Sequence, residues 1–282
     1  MSLKTYRPYT SSIRQRIDVD KSGLWKGQPL KKLTQGVANT GGRNHNGHLT
    51  VRHRCSVHRK VLRHISFDRR FLNDIAAHVV RLEYDPNRTA HIALIKFQKD
   101  GIEDFAYILA AEGMKAGDIV ETSTETKNLK IDLKSGNCMP IGVMKEGTHI
   151  HNIELKIGAG GKLIRSAGSS AQVLGQEGDS NKVIVRLSSG EVRYINKNCM
   201  ATVGVISNAD NSNIVLGKAG RSVWRGRRPS VRGIAMNPVD HHNGGRANGG
   251  THFASPEGIC AKGLKTRRNK RTTKEIIKRR KK

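Results

Sequence analysis

Val80-Arg81-Leu82-Glu83-Tyr84-Asp85-Pro86-Asn87-Arg88, followed after one threonine by Ala90 to Phe97 (AHIALIKF), decides the fold class. Val80, Leu82 and Tyr84 alternate with Arg81 and Glu83, the two-residue period of a half-buried strand, and the pattern predicts that the first three face inward. Asp85-Pro86-Asn87-Arg88 is a turn, since Pro86 presets its own backbone and Asn87 tolerates tight geometry. Ala90 to Phe97 reads as a second, more apolar strand. Lys99-Asp100-Gly101 turns the chain again, Ala106 to Ala110 (AYILA) is a third strand, and Lys115 to Asp118 turns before Ile119 to Thr122. Short strands with turns roughly every 8 to 12 residues predict a small barrel or sandwich.

Working outward, a second β unit begins near residue 128. Cys138 to Val143 and Thr148 to Ile157 (THIHNIELKI) read as strands. Lys182 to Leu187 and Glu191 to Ile195 flank Ser188-Ser189-Gly190, a hairpin signal. No segment of helical period exceeds about two turns, apart from a last turn at Lys274 to Arg280. Two barrels of roughly 60 to 90 residues fit the length better than one large sandwich. With aromatics at 4%, their cores must be built from Val, Ile, Leu and Ala.

The charge is distributed unevenly. The 282 residues carry 51 Lys plus Arg against 23 Asp plus Glu, a formal +28. Residues 1–70 hold 16 basic and 3 acidic residues, residues 71–220 hold 17 of each, and residues 221–282 hold 18 and 3. A neutral middle between two polycationic ends describes a folded body with extensions that repel one another until a polyanion neutralises them. A merely solvated surface would mix both signs, so nucleic acid is the natural partner. No run of eighteen apolar residues is present, so no membrane span is expected. Four scattered cysteines (Cys55, Cys138, Cys199, Cys260) argue against a disulfide-built scaffold.

The flanks differ in texture from the middle. Thr40-Gly41-Gly42-Arg43-Asn44-His45-Asn46-Gly47 is too rich in Gly and Asn for regular structure, and Val223-Trp224-Arg225-Gly226-Arg227-Arg228-Pro229 and the four glycines of residues 244–250 continue that style. Glycine lets a backbone approach a surface closely, and arginine makes planar, bidentate phosphate contacts. Such extensions can thread between packed RNA helices. Trp224, among five arginines between 221 and 232, is suited to stacking on an unpaired base while guanidinium groups clamp the adjoining phosphates; burial as a core anchor is its bland alternative.

Three other chemistries are weaker. Gly158-Ala159-Gly160-Gly161-Lys162 resembles a nucleotide loop, but Lys156 stands at the first loop glycine and Leu163 replaces the magnesium-holding hydroxyl, so a Gly-rich turn between strands is expected. Cys55 and His58, with His53 and His64 nearby, have zinc-like spacing but no second close pair follows; unpaired reduced thiols are the better reading. Asp240-His241-His242 invites a nuclease reading with imidazoles as general base and acid. Hydrogen bonding within a Gly-rich loop against RNA is the simpler account.

Together, Gly41-Gly42-Arg43-Asn44, Arg81 to Arg88, Gly160-Gly161 with Arg165-Ser166-Ala167-Gly168, Leu216-Gly217-Lys218-Ala219-Gly220, and Val231-Arg232-Gly233 leading to Met236-Asn237-Pro238-Val239-Asp240-His241 identify a family. Over nearly its whole length the sequence resembles the bacterial-type (bacterial or organellar) large-subunit ribosomal protein L two family. The resemblance implies an all-β chain: an oligonucleotide-binding (OB) barrel followed by an SH3-like barrel, with both basic ends buried in rRNA. The implied divisions are a basic N-terminal extension at 1–35, the OB domain at 36–126, the SH3-like domain at 127–203 and a Gly/Arg-rich C-terminal extension at 204–282. It also implies a non-enzymatic place in the large subunit, close to the peptidyl-transferase region, with help in subunit association and tRNA placement. Its partners would be large-subunit rRNA, other ribosomal proteins and the small subunit across the interface, with no membrane. No metal or cofactor is implied beyond magnesium associated with nearby rRNA.

The sequence departs from the family where His242-Asn243-Gly244-Gly245-Arg246 replaces Pro-His and a glycine run, where Cys55-Ser56-Val57 replaces a glycine triplet before His58-Arg59, and across Ala247 to Cys260. Bulkier residues enter left-handed backbone conformations only at a cost, so local RNA packing must differ there. This drift, beside otherwise alphaproteobacterial-looking stretches, points toward a mitochondrial ribosome in the matrix rather than the bacterial cytoplasm. The RNA-contacting candidates on the first barrel side are Arg43, Arg52, Arg54, Arg59, Lys60, Arg69, Arg70 and Arg88. Those on the second side are Lys162, Arg165, Lys218, Arg221, Trp224, Arg225, Arg227, Arg228, Arg232 and His241. The rivals from other classes are an RNA-cleaving enzyme using His241 and His242, and a DNA-compacting architectural protein.

Overall fold

The computed structural model describes residues 3–55, 60–125, 131–178, 180–247 and 249–280. Its contacts divide the chain into two compact units: Met1–Val37, Arg59–Gly217 and Lys274–Lys282 form the first, and Ala38–His58 with Lys218–Thr273 form the second. The first unit is all-β and holds two small barrels.

The first barrel is built on β1 (Ala77–Glu83), β2 (Ile92–Lys99), β3 (Ile102–Leu109) and β4 (Ile119–Val120), hydrogen-bonded antiparallel in the order β3-β2-β1-β4. β2 and β3 pair without interruption from Ile92 opposite Leu109 to Lys99 opposite Ile102. Their two-residue turn, Asp100-Gly101, takes positive φ at both positions (52° and 79°), the twist that matches a hairpin. Leu72, Val79, Ile95, Phe97, Ile108 and Val120 pack inside. Ile92, Leu94 and Tyr107 project to the other face, where Leu30, Leu33 and Ile65 cover them. The fully buried Tyr107 hydroxyl accepts from the Leu30 N–H at 2.9 Å and donates to Glu83 at 3.0 Å, so a basic extension is tied down by its apolar residues.

One expected detail is reversed. Val80 and Tyr84 lie exposed, whereas Ala77, Val79 and Glu83 are buried. Leu82 does pack half-buried against the core, because the register slips between Val79 and Arg81 and this bulge lets both Val79 and Leu82 face inward while Val80 stays outside.

The second barrel uses β5 (Cys138–Pro140), β6 (His149–His151), β7 (Ile153–Glu154), β8 (Gly161–Leu163), β9 (Ala171–Gln176), β10 (Lys182–Arg186), β11 (Val192–Asn196), β12 (Met200–Val203) and β13 (Ile276–Lys278). Seven of them form one sheet in the order β13-β11-β10-β9-β6-β12-β5, while β7 and β8 pair with each other. Met139, Ile141, Ile150, Val173, Val183, Val185 and Ala201 form its core. The hairpin at Ser188-Ser189-Gly190 closes as expected, through Leu187 N–H to Glu191 O at 2.8 Å. The anticipated helical turn at Lys274 to Arg280 is instead a short 3₁₀ turn, Thr273–Glu275, leading into β13. There the edge of β11 offers unpaired backbone groups, and Arg193 binds Glu275 at 2.9 Å. The first barrel is of the OB type and the second is SH3-like.

The second unit has little regular structure: the six-residue helix α1 (Ala219–Trp224), short 3₁₀ turns, and the isolated bridges Arg43–Leu49, Arg54–Arg227 and Ala254–Cys260.

Candidate RNA-binding surface

The second unit carries 16 Lys and Arg against 2 acidic residues, Asp240 and Glu257, so it cannot neutralise itself. Its two chain segments are stitched by backbone: Arg54 pairs with Arg227, Cys55 N–H donates to Gly226 O at 3.2 Å, and Arg228 N–H donates to His53 O at 3.1 Å. Gly42, at φ 84°, lies so close to the Val51 carbonyl that a Cβ would collide with it. That contact explains why Gly41-Gly42 precedes Arg43. The result is two shallow clefts of about 290 and 300 Å³ that share Arg54. Arg225 lines the first, while Arg43, Arg52 and Arg228 line the second.

Arg43, Arg52, Arg54, Lys218, Arg225, Arg227, Arg228 and Arg232 are exposed, and Arg221 is half-buried. Arg52 reaches Glu257 at 3.1 Å, a pair open to solvent on both sides and therefore of little energetic weight. Trp224, 49% exposed at the end of α1, is no core anchor; Lys218 Nζ sits 4.9 Å from its ring centroid. His241 lies at 8% exposure, its Nδ1 accepts the Asn243 N–H at 3.0 Å, and Gly233 packs so close that a Cβ there would strike the imidazole. His242 Nε2 stands 3.0 Å from Thr251 Oγ1. One ring of the pair is thus committed to folding its own loop, which weakens the paired acid–base reading.

In the first unit the candidates separate by burial. Lys162 and Arg165 are exposed; Arg165 stacks 4.4 Å from the Phe67 ring centroid and donates to Gly161 O at 3.3 Å. Lys60 is half-buried. Arg88 binds the fully buried Asp85 at 2.7 Å. Arg70 grips Glu154 with two hydrogen bonds of 2.8 and 2.7 Å. Burial opposes ionisation of Glu154, yet the Arg70 fork and the N–H groups of Met200 and Gly160 prevail, and its carboxyl lies below the usual range. Arg69 is 2% exposed. Arg59 lies outside the described residues, as does His58 of the zinc-like pair; among the described residues no cluster of His, Cys, Asp or Glu is placed to hold a metal. The Gly158–Lys162 loop joins β7 to β8, and its Gly160 and Gly161 amides are spent on Glu154 and Phe67 O, not left open for phosphate.

The sequence reading missed a second surface. Arg81 lies over the Trp25 ring at 4.6 Å and Lys21 over Tyr84 at 3.5 Å, with both aromatics exposed. Tyr84 lies just past the end of β1, where the strand's alternation no longer decides its side, and one strand read alone carries no mark of that end.

Comparison with known proteins agrees with this geometry. The family model described as "Ribosomal Proteins L2, RNA binding N-terminal domain" matches residues 30–122, and "Ribosomal Proteins L2, C-terminal domain" matches residues 134–262. The protein named "Large ribosomal subunit protein uL2" of Granulibacter bethesdensis is 52% identical over 285 residues, covering 100% of this chain and 99% of the relative. The same-named proteins of Rickettsia felis and Methylocella silvestris are 50% and 52% identical, over 100% and 98% of this chain and 100% and 96% of theirs. Two barrels, a basic Gly/Arg-rich unit and these matches across nearly the whole length leave one conclusion: the chain belongs to the ribosomal protein L2 family.

Proposed function

We propose that the protein is a structural constituent of the large ribosomal subunit that binds large-subunit rRNA near the peptidyl-transferase region and performs no catalysis itself. The observation that carries this reading is the second unit, with sixteen cations, two acids and a backbone held together by glycine turns. A surface of that kind is complete only against a polyanion, and exposed guanidinium groups beside an exposed indole suit folded RNA with unpaired bases. Arg43, Arg52, Arg54, Arg225, Arg227 and Arg228 are its phosphate contacts, and Trp224 is its stacking surface. Lys162 and Arg165 of the SH3-like barrel are further contacts. Lys60, Arg221 and Arg232 add positive charge to the RNA-binding set, and His241 shapes the loop that faces RNA.

The four-part division at residues 35, 126 and 203 serves as a division of labour, with two folded barrels flanked by RNA-embedded extensions. Anchored in this way, the protein supports subunit association and tRNA placement and contacts other ribosomal proteins and the small subunit. The mitochondrial matrix is its proposed home, on the drift around His242 and Cys55. The test is sedimentation of tagged protein with lysate: it should travel with the large subunit and leave it steeply as salt rises. Equal affinity for duplex DNA and folded rRNA fragments would instead favour an architectural DNA protein. Cleavage of labelled RNA that is lost in His241→Ala would favour the nuclease.

A further inference from the structure

One part of the first unit plays no role in the proposed RNA contact. Thr122 bridges Cys138, Cys138 pairs with Thr202 between β5 and β12, and Thr202 pairs with His151 on β6. Residues directly opposite across a sheet project to the same face, so these four side chains form one row. Their neighbours Met139, Ala201, Val203 and Ile150 point the other way, into the core of the SH3-like barrel. The row therefore looks away from that core, yet Thr122, Cys138, Thr202 and His151 are only 0 to 3% exposed.

Arg69 closes over this region. It comes from the turn ahead of the first barrel, is 98% buried by its 2% exposure, and donates through Nη1 to Gly136 O at 2.6 Å. Gly136 stands two residues before Cys138, and Asn73, at the end of the turn that Arg69 opens, bridges Thr122, so the guanidinium lies against this end of the row. Among the described residues, Arg69 Nε and Nη2, Thr122 Oγ1 and His151 Nε2 are buried with no hydrogen-bond partner. Arg69 also has no ion pair there, because the adjacent carboxylates Asp68 and Glu154 are held by Arg70. A guanidinium does not shed its proton, and an uncompensated charge out of water is among the costliest features a fold can hold. Water would satisfy the hydrogen bonds and leave the charge. An anion answers both.

The geometry points to an enclosed site for a small monovalent anion of the halide class between the two barrels, held by Arg69 Nε and Nη2 and the Thr122 hydroxyl and bordered by Cys138 and His151. The anion supplies the negative charge the interface lacks and fastens one barrel to the other. The site is separate from the proposed RNA surface, and its existence does not depend on RNA binding.

The test uses the full chain and bromide as the probe. Crystals grown in sodium bromide should show an anomalous peak in hydrogen-bond contact with Arg69 Nη2. Thermal melting in sodium chloride should exceed that in sodium gluconate of equal ionic strength. The folded-to-unfolded ratio should rise tenfold for each tenfold rise in chloride above the dissociation constant. Lys99→Gln, a control on the exposed end of β2, should keep the halide dependence, and Arg69→Met should lose it. Should Arg69→Met fail to fold, the bromide map and the chloride–gluconate comparison decide on the unaltered protein. A water or no peak at Arg69, or equal melting in the two salts, overturns the site.

Discussion

Arginines of the barrel unit and arginines of the Gly-rich unit meet opposite fates. In the barrels Arg70 is locked to Glu154, Arg88 to Asp85, Arg81 to Glu83 and Arg193 to Glu275, and three of those four carboxylates are nearly or wholly buried. In the second unit, Arg43, Arg54, Arg225, Arg227 and Arg228 have no carboxylate partner among the described residues, and the Arg52–Glu257 pair lies open to solvent. The same side chain is therefore structural where an acid is built beside it, and under the proposed function it is a phosphate contact where none is. Arg70 and Arg88, adjacent in kind to Arg43 on paper, differ from it in the buried carboxylates that folding places beside them.

The contrast breaks first at Glu154. Glu154→Ala strips Arg70 of its fork and leaves the Met200 and Gly160 amides without their acceptor, whereas Arg70→Ala leaves a carboxylate at 1% side-chain exposure without its cation. Either change should cost about 3–5 kcal/mol in chemical denaturation. The salt dependence of RNA binding by the surviving folded protein should not change. A loss confined to RNA affinity would place Arg70 among the ligand-binding arginines.

Histidine sharpens the same division through pH. Burial holds His151 and His91 neutral in the barrels, each pushed down to about 4 from an ordinary 6.5. The unfolded chain then takes up protons near pH 6.5 while the folded one resists until about pH 4. The stability these residues contribute is fully present above pH 6.5 and is lost as pH falls toward 4, by about 3 kcal/mol for each ring at the linkage rate of 1.36 kcal/mol per pH unit. Urea titrations at pH 7 and pH 4.5 check this. His151→Asn should flatten the profile, and an unchanged slope would mean the ring is already charged in the fold.

Much of this fold is legible in the sequence. The strand–turn rhythm from Val80 to Thr122 and the Ser188-Ser189-Gly190 hairpin sit where alternation and turn chemistry put them, because both signals are local. The face of β1 was not legible: the bulge at Val80 is a property of two strands in register. Nor was the end of the chain. Ile276–Lys278 becomes a strand because β11 leaves an edge open, and Val192 and Arg193 of that edge pair with Lys278 and Ile276 far along the chain. At the candidate site, charge segregation falls on the two segments that fold together as the basic second unit. It could not tell Arg70 from Arg54, because pairing with Glu154 joins residues 84 positions apart.

Two smaller effects test the second unit itself. Trp224→Ala should weaken binding to an rRNA fragment by about 1–3 kcal/mol, the usual worth of one stacked base, with melting of the free protein nearly unchanged because the indole is half exposed. A large drop in melting temperature would return Trp224 to the role of core anchor. The finest test is Arg54→Gln beside Arg227→Gln. Each removes one proposed phosphate contact, so each should lower the slope of log affinity against log salt by about 0.7 to 0.9, with stability within about 0.5 kcal/mol of the starting protein. Their effects on the slope should add, since a counterion released at one phosphate is independent of the next. Arg88→Gln supplies the barrel counterpart: it should leave the slope alone and lower stability, because it orphans the buried Asp85 carboxylate. Equal slopes for Arg54→Gln and Arg88→Gln would erase the distinction between charges with a built-in acid and charges awaiting one from outside.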